Sequence, residues 1–246
     1  MDDNILIELK NISFSFDDYL IIENLSYKID KGITSVIIGP SGCGKTLLLK
    51  IIAGIINPQK GEVLIHGKNI LEYSEKDLIS LRKSMGFLFQ NYALFDSLTV
   101  YENVAFFLRR FSNITIKEAY KKVDHMLDLV RLPNTGHLKP SELSGGMKKR
   151  IGLARALIHE PEVLFLDEPS AGLDPISSDS ISKLILRLQN EFNLSIIAVS
   201  NEIATAKKIA HKISMMYNKT IYKTGLLKEM TNSNDEIVSK FLKTAK

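Results

Sequence analysis

A glycine-rich segment at residues 39–46 has the composition of a loop that binds phosphate groups. It reads Gly-Pro-Ser-Gly-Cys-Gly-Lys-Thr, which fits the pattern G-x-x-x-x-G-K-[ST]. Its glycines let successive backbone N–H groups point at phosphate oxygens, and the following helix presents the positive end of its dipole. We expect Lys45 to reach the β and γ phosphates of ATP and the Thr46 hydroxyl to coordinate Mg²⁺. The predicted nucleotide contacts in this loop are Gly39, Pro40, Ser41, Gly42, Cys43, Gly44, Lys45 and Thr46.

Two adjacent carboxylates follow another apolar run. Residues 163–166 are Val-Leu-Phe-Leu, and Asp167 and Glu168 come directly after them. Acids at the end of a buried strand are costly to bury unless a cation or a water molecule uses them. Beside a phosphate loop, Asp167 suits a place next to the ligands of Mg²⁺, and Glu168 suits polarising the water that attacks ATP. The alternative is a pair of solvated acids at a strand end, which the phosphate loop disfavours.

The elements that must position these residues follow from the hydrophobic pattern. A β-branched run directly before the glycines predicts a buried parallel strand, and an apolar stretch directly after them predicts a buried helix. Later strands of the same type alternate with helical stretches, which is typical of a doubly wound α/β core. The predicted strands are 5–9, 25–29, 34–38, 61–68 with its turn, 163–166 and 195–199, and the predicted helices are 46–52, 117–130 and 175–192.

The fold class that we predict is α/β, a P-loop NTPase (RecA-like) core with an N-terminal antiparallel β subdomain and an inserted α-helical subdomain. Strand signals largely stop between residues 90 and 160, and apolar positions there recur at helical spacing, at Val123, Met126, Leu127 and Val130. Within a single domain over 1–246, we expect residues 1–89 and 161–225 to form the core with the β subdomain, 90–160 the helical subdomain and 226–246 a C-terminal helix or tail. One face of that tail is expected to pack on the core or on a partner, through Ile237, Phe241 and Leu242.

The composition limits the class of protein. The 246 residues are 45% apolar and 24% charged, as in a globular protein with a substantial core. The net charge of +4 comes from Lys and Arg spread along the chain, so no nucleic-acid partner is expected. The single cysteine, Cys43, cannot form an internal disulfide, which favours a reducing cytoplasmic setting. No secretory leader and no apolar run of about 20 residues is evident, so a role at a membrane would need another chain.

A serine–glycine motif narrows the interpretation. Residues 143–147 are Leu-Ser-Gly-Gly-Met, and with them the chain resembles the ATP-binding subunits of ABC transporters. The resemblance implies a homodimer, in which Ser144, Gly145 and Gly146 bind the γ-phosphate of ATP held by the opposite subunit. Small residues permit close approach, and the start of the next helix attracts an anion. Standing alone, the motif could equally be a serine and glycine helix cap.

Further residues match that family in its order along the chain. The resemblance implies that Gln90 contacts Mg²⁺ and water and links the core to the helical subdomain. Asp174 ends a Ser-Ala-Gly-Leu-Asp segment similar to a loop that crosses the dimer interface. Phe16 stands where an aromatic ring stacks on adenine, the alternative being a core residue of a strand, since Phe14 and Tyr19 lie close by. Cys43 occupies a variable position of the loop and is best interpreted as a small filler.

One position departs from the family pattern. The resemblance places a histidine that contacts the γ-phosphate after the last core strand, and this chain has Asn201 there. An asparagine amide can donate a hydrogen bond, but it cannot carry positive charge or shuttle a proton. We hypothesise that ATP binding and dimer closure survive while hydrolysis is slowed, or that Glu168 carries more of the catalysis. The nearby His211 is predicted to lie on a helix that points elsewhere.

Three stretches are similar to the ATPase subunits of Mla-type phospholipid transport systems and their Mce-associated relatives. They are residues 81–90, 92–105 and 140–147, with Met147 where most importers have glutamine. This resemblance implies a transmembrane permease subunit that holds the chain at the cytoplasmic face of the inner membrane, a substrate-binding Mce-domain protein beyond it, and a small cytoplasmic accessory subunit. An apolar cluster would dock the permease or, alternatively, pack inside the helical subdomain; its members are Tyr92, Leu94, Phe95 and Leu98.

Other functions stay open at the level of sequence. An importer ATPase for amino acids or ions would share the chemistry and differ in its permease. A non-transport ABC protein acting on nucleic acid is disfavoured, because such proteins usually carry two cassettes or a long coiled-coil insertion. A module that uses ATP as a dimerisation ligand, with little turnover, would agree with Asn201.

Overall fold

The computed structural model describes residues 4–244, which form two β-sheets and a set of helices packed on them. The strands are β1 (Ile5–Phe16), β2 (Tyr19–Asp30), β3 (Thr34–Ile38), β4 (Lys60–Ile65), β5 (Lys68–Asn69), β6 (Met85–Leu88), β7 (Val163–Asp167), β8 (Ser195–Ser200), β9 (Lys212–Tyr217) and β10 (Thr220–Leu226). The α-helices are α1 (Lys45–Ile52), α2 (Glu75–Lys83), α3 (Val100–Phe111), α4 (Ile116–Leu129), α5 (Gly145–Leu157), α6 (Pro175–Phe192), α7 (Ile203–Ile209), α8 (Leu227–Thr231) and α9 (Glu236–Thr244). Short 3₁₀ turns lie at Ile70–Glu72 and Pro140–Glu142.

The N-terminal sheet is antiparallel, in the order β2-β1-β4-β5. The sequence predicted only five-residue strands at 5–9 and 25–29, whereas β1 and β2 each span twelve residues. Register shifts interrupt their pairing, and Asn11 and Asn24 have positive φ angles of 53° and 43°. Such irregularities break the period-2 alternation by which a strand is recognised in sequence, so the prediction stopped short.

The second sheet carries the chemistry-bearing residues at one edge. Its order is β10-β9-β3-β8-β7-β6, and all neighbours are parallel except the antiparallel pair β9 and β10. Every residue of β3, β7 and β8 is buried, as expected for parallel strands covered on both faces. Because the carboxyl ends of parallel strands meet at one edge, the residues after β3, β7 and β8 lie together.

Two apolar cores cover the two faces of this sheet. One contains α1, the N-terminal sheet and alternate residues of the central strands, such as Ile37 and Phe165. The other joins β6 and β7 to the helices of the middle block through residues such as Leu166, Val104 and Val123. The predicted α/β class, with an antiparallel β part and a helical part, is confirmed. The exact division at residues 90 and 160 stays a prediction.

Side-chain hydrogen bonds fix where two helices of the middle block begin. α3 and α4 begin with reciprocal capping boxes, Thr99 with Glu102 and Thr115 with Glu118. The apolar stripe that predicted a helix at 117–130 is buried on α4 and its C-cap, at Val123, Met126, Leu127 and Val130. The helix predicted at 175–192 matches α6 in both bounds.

The C-terminal segment packs on the second of these cores. α9 buries Val238 and Leu242 there, and Ile237 and Phe241 pack beside them. The predicted face of the tail therefore contacts the core, while residues 245 and 246 of that prediction lie outside the described residues.

The placement of His211 on a helix was wrong. His211 precedes β9 directly, and its Nδ1 accepts a hydrogen bond of 3.1 Å from the backbone N–H of Thr34, the first residue of β3. The sequence Ala-His-Lys after α7 looks helical. However, α7 stops at Ile209 because the chain then enters β9, which pairs with β3. His211 thus lies at the strand edge opposite to the glycine loop, as expected for a residue without a role there.

Candidate functional site

The glycine loop connects β3 to α1 and leaves no space for side chains at two positions. A Cβ atom on Gly39 would lie 2.4 Å from the carbonyl oxygen of Met216, and one on Gly44 would lie 2.7 Å from Ile21 Cγ2. Gly42 and Gly44 have φ angles of 78° and 102°, which other residues rarely adopt. The loop therefore has the tight backbone that the predicted phosphate cradle requires, and it leads directly into the N-terminus of α1.

Lys45 is buried at the base of this loop. Its Nζ donates to the carbonyl oxygens of Gly39 and Pro40, both at 2.9 Å, and to Asn201 Oδ1 at 2.6 Å. All three acceptors are neutral, and within residues 4–244 no carboxylate lies within ion-pair distance of this ammonium group. Nζ also lies 4.0 Å from Cys43 Sγ, and a buried cation held by neutral acceptors alone is preorganised for an anionic ligand such as a phosphate.

Asp167 and Glu168 meet the loop from β7. Thr46 Oγ1 donates to Asp167 Oδ1 at 2.8 Å, so the predicted hydroxyl and carboxylate are in contact. Both oxygens are hard donors of the kind that Mg²⁺ prefers. Burial raises the pKa of both acids above their ordinary values, with the Thr46 hydrogen bond opposing it at Asp167. The two acids are buried, so the alternative of a solvated pair at a strand end is wrong.

Asn201 joins the phosphate loop to Glu168. Its backbone N–H lies 3.0 Å from each carboxylate oxygen of Glu168, and its side-chain oxygen accepts from Lys45. Glu168 itself has a φ of 50° and donates its own N–H to Val199 on β8 at 3.1 Å. A non-glycine residue held in this region is costly and marks a position that the surrounding structure constrains.

The serine–glycine motif is on another surface of the chain. Ser144 caps α5, accepting a hydrogen bond of 3.3 Å from the N–H of Met147, and both Ser144 and Gly145 are exposed. Asp174 caps α6 through 3.0 Å hydrogen bonds from the N–H groups of Ile176 and Ser177. Hydrogen bonds from the Ser177 side chain and backbone hold the pKa of the Asp174 carboxyl below the ordinary value. In the part of the chain that the structure describes, no hydrogen bond joins Ser144 or Asp174 to residues 39–46. The structure therefore brings the loop, the two acids and Asn201 together and keeps the motif apart from them.

The sequence of this chain matches one protein family and several individual ATP-binding proteins. A sequence profile of the ABC transporter family matches residues 22–171. The intermembrane phospholipid transport system ATP-binding protein MlaF of Haemophilus influenzae is 40% identical over 97% of this chain and 90% of its own length. The chain belongs to the ABC transporter family.

Two further similarities bear on this ABC ATPase. The methionine import ATP-binding protein MetN 1 of Enterococcus faecalis is 35% identical over 98% of the chain and 68% of its own length. A dimeric post-hydrolysis state of the ATP-binding cassette MJ0796, bound to ADP and Pi, shares 27% identity with a TM-score of 0.81, covering 90% of this chain and 99% of that one. The predicted family, the nucleotide ATP and the ATPase activity are confirmed. The assignment of single residues to roles stays a prediction.

Lys149 of the ABC ATPase is a buried residue that the sequence analysis missed. The side chain is 0% exposed, and its Nζ donates to the carbonyl oxygens of Glu168 at 2.9 Å and Gln90 at 3.1 Å. Burial lowers the pKa of Lys149 to about 8, against the opposing charges of nearby acids. A signal did exist, because Lys149 shares the apolar face of α5 with Gly152, Leu153 and Ala156 at spacings of three, four and seven.

The loop after Gln90 is held mainly through α5. The Gln90 side chain is exposed, and Tyr92 and Ala93 have φ angles of 62° and 50°. Arg155 donates to the carbonyl oxygens of both, at 2.9 Å to Tyr92. The Lys149 ammonium also lies 5.0 Å from the ring centroid of Tyr92. Two side chains of one helix thus fix a loop whose own backbone is unfavourable.

Two loop-flanking residues of the prediction have clear positions. Phe16 ends β1 with 57% of its surface exposed and packs edge to face on Phe14, with ring centroids 5.1 Å apart. The alternative of a core residue is therefore wrong for Phe16, and its ring is available to stack on a base. Cys43 is half-buried, and burial raises the pKa of its thiol, which agrees with a small filler rather than a reactive group.

Proposed function

We propose that two copies of this ABC ATPase bind two ATP molecules between them. The phosphate loop of one copy and the Ser144 motif of the other would form each composite site. The observation that carries this proposal is the separation of the two parts, because each chain has a built phosphate cradle and, elsewhere, an exposed helix N-terminus flanked by small residues. Beside that terminus, Ile176 is 84% exposed, as suits a side chain that a second copy covers.

The residues at the phosphate loop fit Mg²⁺ as a second ligand. We propose that Thr46 binds the ion, with Asp167 beside it and the exposed side chain of Gln90 reaching it from the loop. The ion would supply charge neutralisation on the β and γ phosphates. Lys45 would exchange its three neutral acceptors for phosphate oxygens, and Phe16 would stack on the adenine ring.

Glu168 is proposed to orient and polarise the attacking water. Its raised pKa makes the carboxylate a better proton acceptor than an exposed glutamate. The backbone N–H of Asn201 fixes the carboxylate from one side, and Lys149 fixes the main chain of Glu168 from the other. Asn201 also occupies Lys45 with its carbonyl oxygen, so its amide N–H₂ is the group that can donate to a γ-phosphate.

A mixing experiment tests the composite site. Lys45→Ala removes the phosphate loop's cation, and Ser144→Arg blocks the motif, so neither variant alone should form an ATP-dependent dimer. Mixed together, they can form one intact site from the loop of the second and the motif of the first. We expect ATP to produce a dimer in the mixture only, measured by size-exclusion chromatography with light scattering. If the mixture stays monomeric while the parent chain dimerises with ATP, the composite site is refuted.

We further propose that this subunit energises phospholipid transport. The similarity to MlaF supports this substrate, and the similarity to MetN 1 makes methionine the competing one. The chain would sit at the cytoplasmic face of the inner membrane, bound to a permease, with an Mce-domain protein beyond it and a small accessory subunit beside it. Among residues 4–244 no helix has the length and apolar character to cross a bilayer.

A paired aromatic surface supports permease docking. Phe95 and Phe106 are both more than 40% exposed, and their ring centroids lie 4.8 Å apart. Leu94 and Leu98 are half-buried, so the predicted cluster is split between packing and exposure. Reconstitution with the permease encoded beside this chain tests the substrate: ATPase stimulation by phospholipid and not by methionine supports the proposal, and the reverse refutes it.

A further inference from the structure

A small cleft between three helices gathers positive charge without a matching acid. It lies where the end of α4, the second turn of α5 and the middle of α6 meet, and its volume is about 70 Å³. Of its four cations only Lys183 has an acidic partner, Asp179, at 2.8 Å. Within residues 4–244 no carboxylate lies within 4.0 Å of the three guanidinium groups. The lining residues are Arg131, Arg150, Ser180, Lys183, Leu184 and Arg187.

Arg187 has buried donors that nothing satisfies. Its Nε and Nη2 are shielded from solvent and have no hydrogen-bond partner in the part of the chain that the structure describes. Arg150, by contrast, donates to the Val130 carbonyl at 2.8 Å and to Ser180 Oγ at 2.7 Å. Leaving the N–H groups of a charged side chain buried and unpaired is among the costlier defects in a folded protein.

The guanidinium groups also repel one another. Burial and the neighbouring charges of Arg131 and Arg187 lower the pKa of Arg150 below its ordinary value. The C-terminal end of α4 offsets part of this charge, because its Val130 carbonyl faces Arg150. Among residues 4–244, no carbonyl oxygen accepts from the buried Nε and Nη2 of Arg187. The cleft is therefore both under-satisfied in acceptors and positive in net charge.

We infer that this cleft binds a phosphate-type oxyanion. A guanidinium fork matches phosphate or carboxylate oxygens in pairs. A tetrahedral dianion supplies acceptors in three directions and two negative charges, whereas a carboxylate has two oxygens and one charge. With cations arriving from α4, α5 and α6, the dianion is the better match. Bound there, it would connect the helix capped by Ser144 to the helix capped by Asp174.

Inorganic phosphate is the probe that tests this site. The full chain is first saturated with a non-hydrolysable ATP analogue, so that the phosphate loop cannot report the added anion. Thermal unfolding is then followed as phosphate replaces chloride at constant ionic strength. We expect a saturable rise in melting temperature for the parent chain, an apparent affinity at least tenfold weaker for Arg187→Gln, and no change for the exposed control Arg109→Gln.

The melting temperature in chloride alone distinguishes a ligand-binding role of Arg187 from a packing role. In chloride alone, Arg187→Gln should melt at the same temperature as the parent or higher, because it removes unpaired buried donors. If Arg187→Gln does not fold, the exposed Arg131→Gln serves in its place, with the same weakened phosphate response expected. Equal phosphate responses in variant and parent, or saturable binding of acetate in place of phosphate, would overturn the inference.

The same variants identify the source of the phosphate group. Co-sedimentation with vesicles containing phosphatidic acid, whose headgroup is a phosphomonoester, is compared with vesicles of phosphatidylcholine alone. If Arg187→Gln loses both the phosphate response and the preference for phosphatidic acid, the oxyanion is a lipid headgroup. If it loses the phosphate response and sediments like the parent, the ligand is a free phosphate.

Discussion

Replacing Lys149 by methionine should uncouple catalysis from ATP binding. Methionine keeps the length and apolar stem of the side chain, and it removes the ammonium group that contacts Glu168 and Gln90. The phosphate loop is not touched, since Lys45 and Thr46 make none of their hydrogen bonds with Lys149. The substitution therefore tests whether this buried cation positions Glu168, the residue that we propose to polarise the attacking water.

The magnitude follows from opposing contributions. Loss of two charge-assisted hydrogen bonds leaves the Gln90 carbonyl oxygen without a partner among the described residues, at about 1–3 kcal/mol, whereas the Glu168 carbonyl keeps the N–H of Ala171. Removing a buried charge returns about 3 kcal/mol, from the lowering of the Lys149 pKa from 10.5 to about 8. The two contributions nearly cancel in the free energy of unfolding. The added conformational freedom of Glu168 has no such offset in kcat. A loss of about 1.4–2.7 kcal/mol in positioning Glu168 corresponds to a kcat lowered roughly 10- to 100-fold.

Steady-state ATPase assays with thermal unfolding check this prediction. We expect kcat to fall, KM for ATP to change less than about threefold, and the melting temperature to stay within a few degrees of the parent. Lys148→Met is the matched control, because it changes the same residue type one position away, where the side chain is not fully buried. A Lys149→Met variant with parental kcat, or one that lowers kcat no more than Lys148→Met, would refute the positioning role.

Three more outcomes are expected. Asn201→His should raise the ATPase rate, since a histidine can carry charge toward the γ-phosphate; an unchanged rate removes the idea that Asn201 slows hydrolysis. Between pH 8 and 10.5, Lys149 binds a larger fraction of a proton in the unfolded chain than in the folded one. Its contribution to the free energy of unfolding therefore increases as pH rises through that window, by up to about 3 kcal/mol. Denaturant unfolding of the parent and Lys149→Met at pH 7.5 and 9.5 should show this difference, and parallel pH profiles would contradict it. Phe95→Asp should weaken permease co-purification at least tenfold while leaving ATP-dependent dimerisation intact; retained binding would place the docking surface elsewhere.

Much of the site could be predicted from the sequence because its parts are local. The glycine loop, its flanking strand and helix, and the acid pair at the end of β7 are contiguous motifs whose chemistry depends on spacing along the chain. The meeting of Thr46 with Asp167 follows from parallel strands that share one carboxyl edge. The helix-cap alternative for Ser144 rests on the same kind of local pattern, and the structure shows this residue capping α5.

Other features depend on contacts between distant parts of the chain. Lys149 looks like one of several basic residues after the serine–glycine motif, and only the approach of Gln90 and Glu168 makes it a buried link. His211 was misplaced because helical polarity continues past α7, whereas pairing of β9 with β3 ends the helix. The asparagine irregularities in β1 and β2 likewise come from pairing with neighbouring strands, which a single sequence does not display.

Helix α5 connects the turn at residues 90–93 to the serine–glycine motif. Lys149 and Arg155 hold the strained turn at residues 90–93, and Ser144 stands at the tip, about 16 Å from Arg155 at 1.5 Å per residue. A displacement of that turn must either break these contacts or move α5 with it. In the composite site that we propose, a membrane partner that displaces this turn would also move Ser144, and with it the contact to the nucleotide of the other copy.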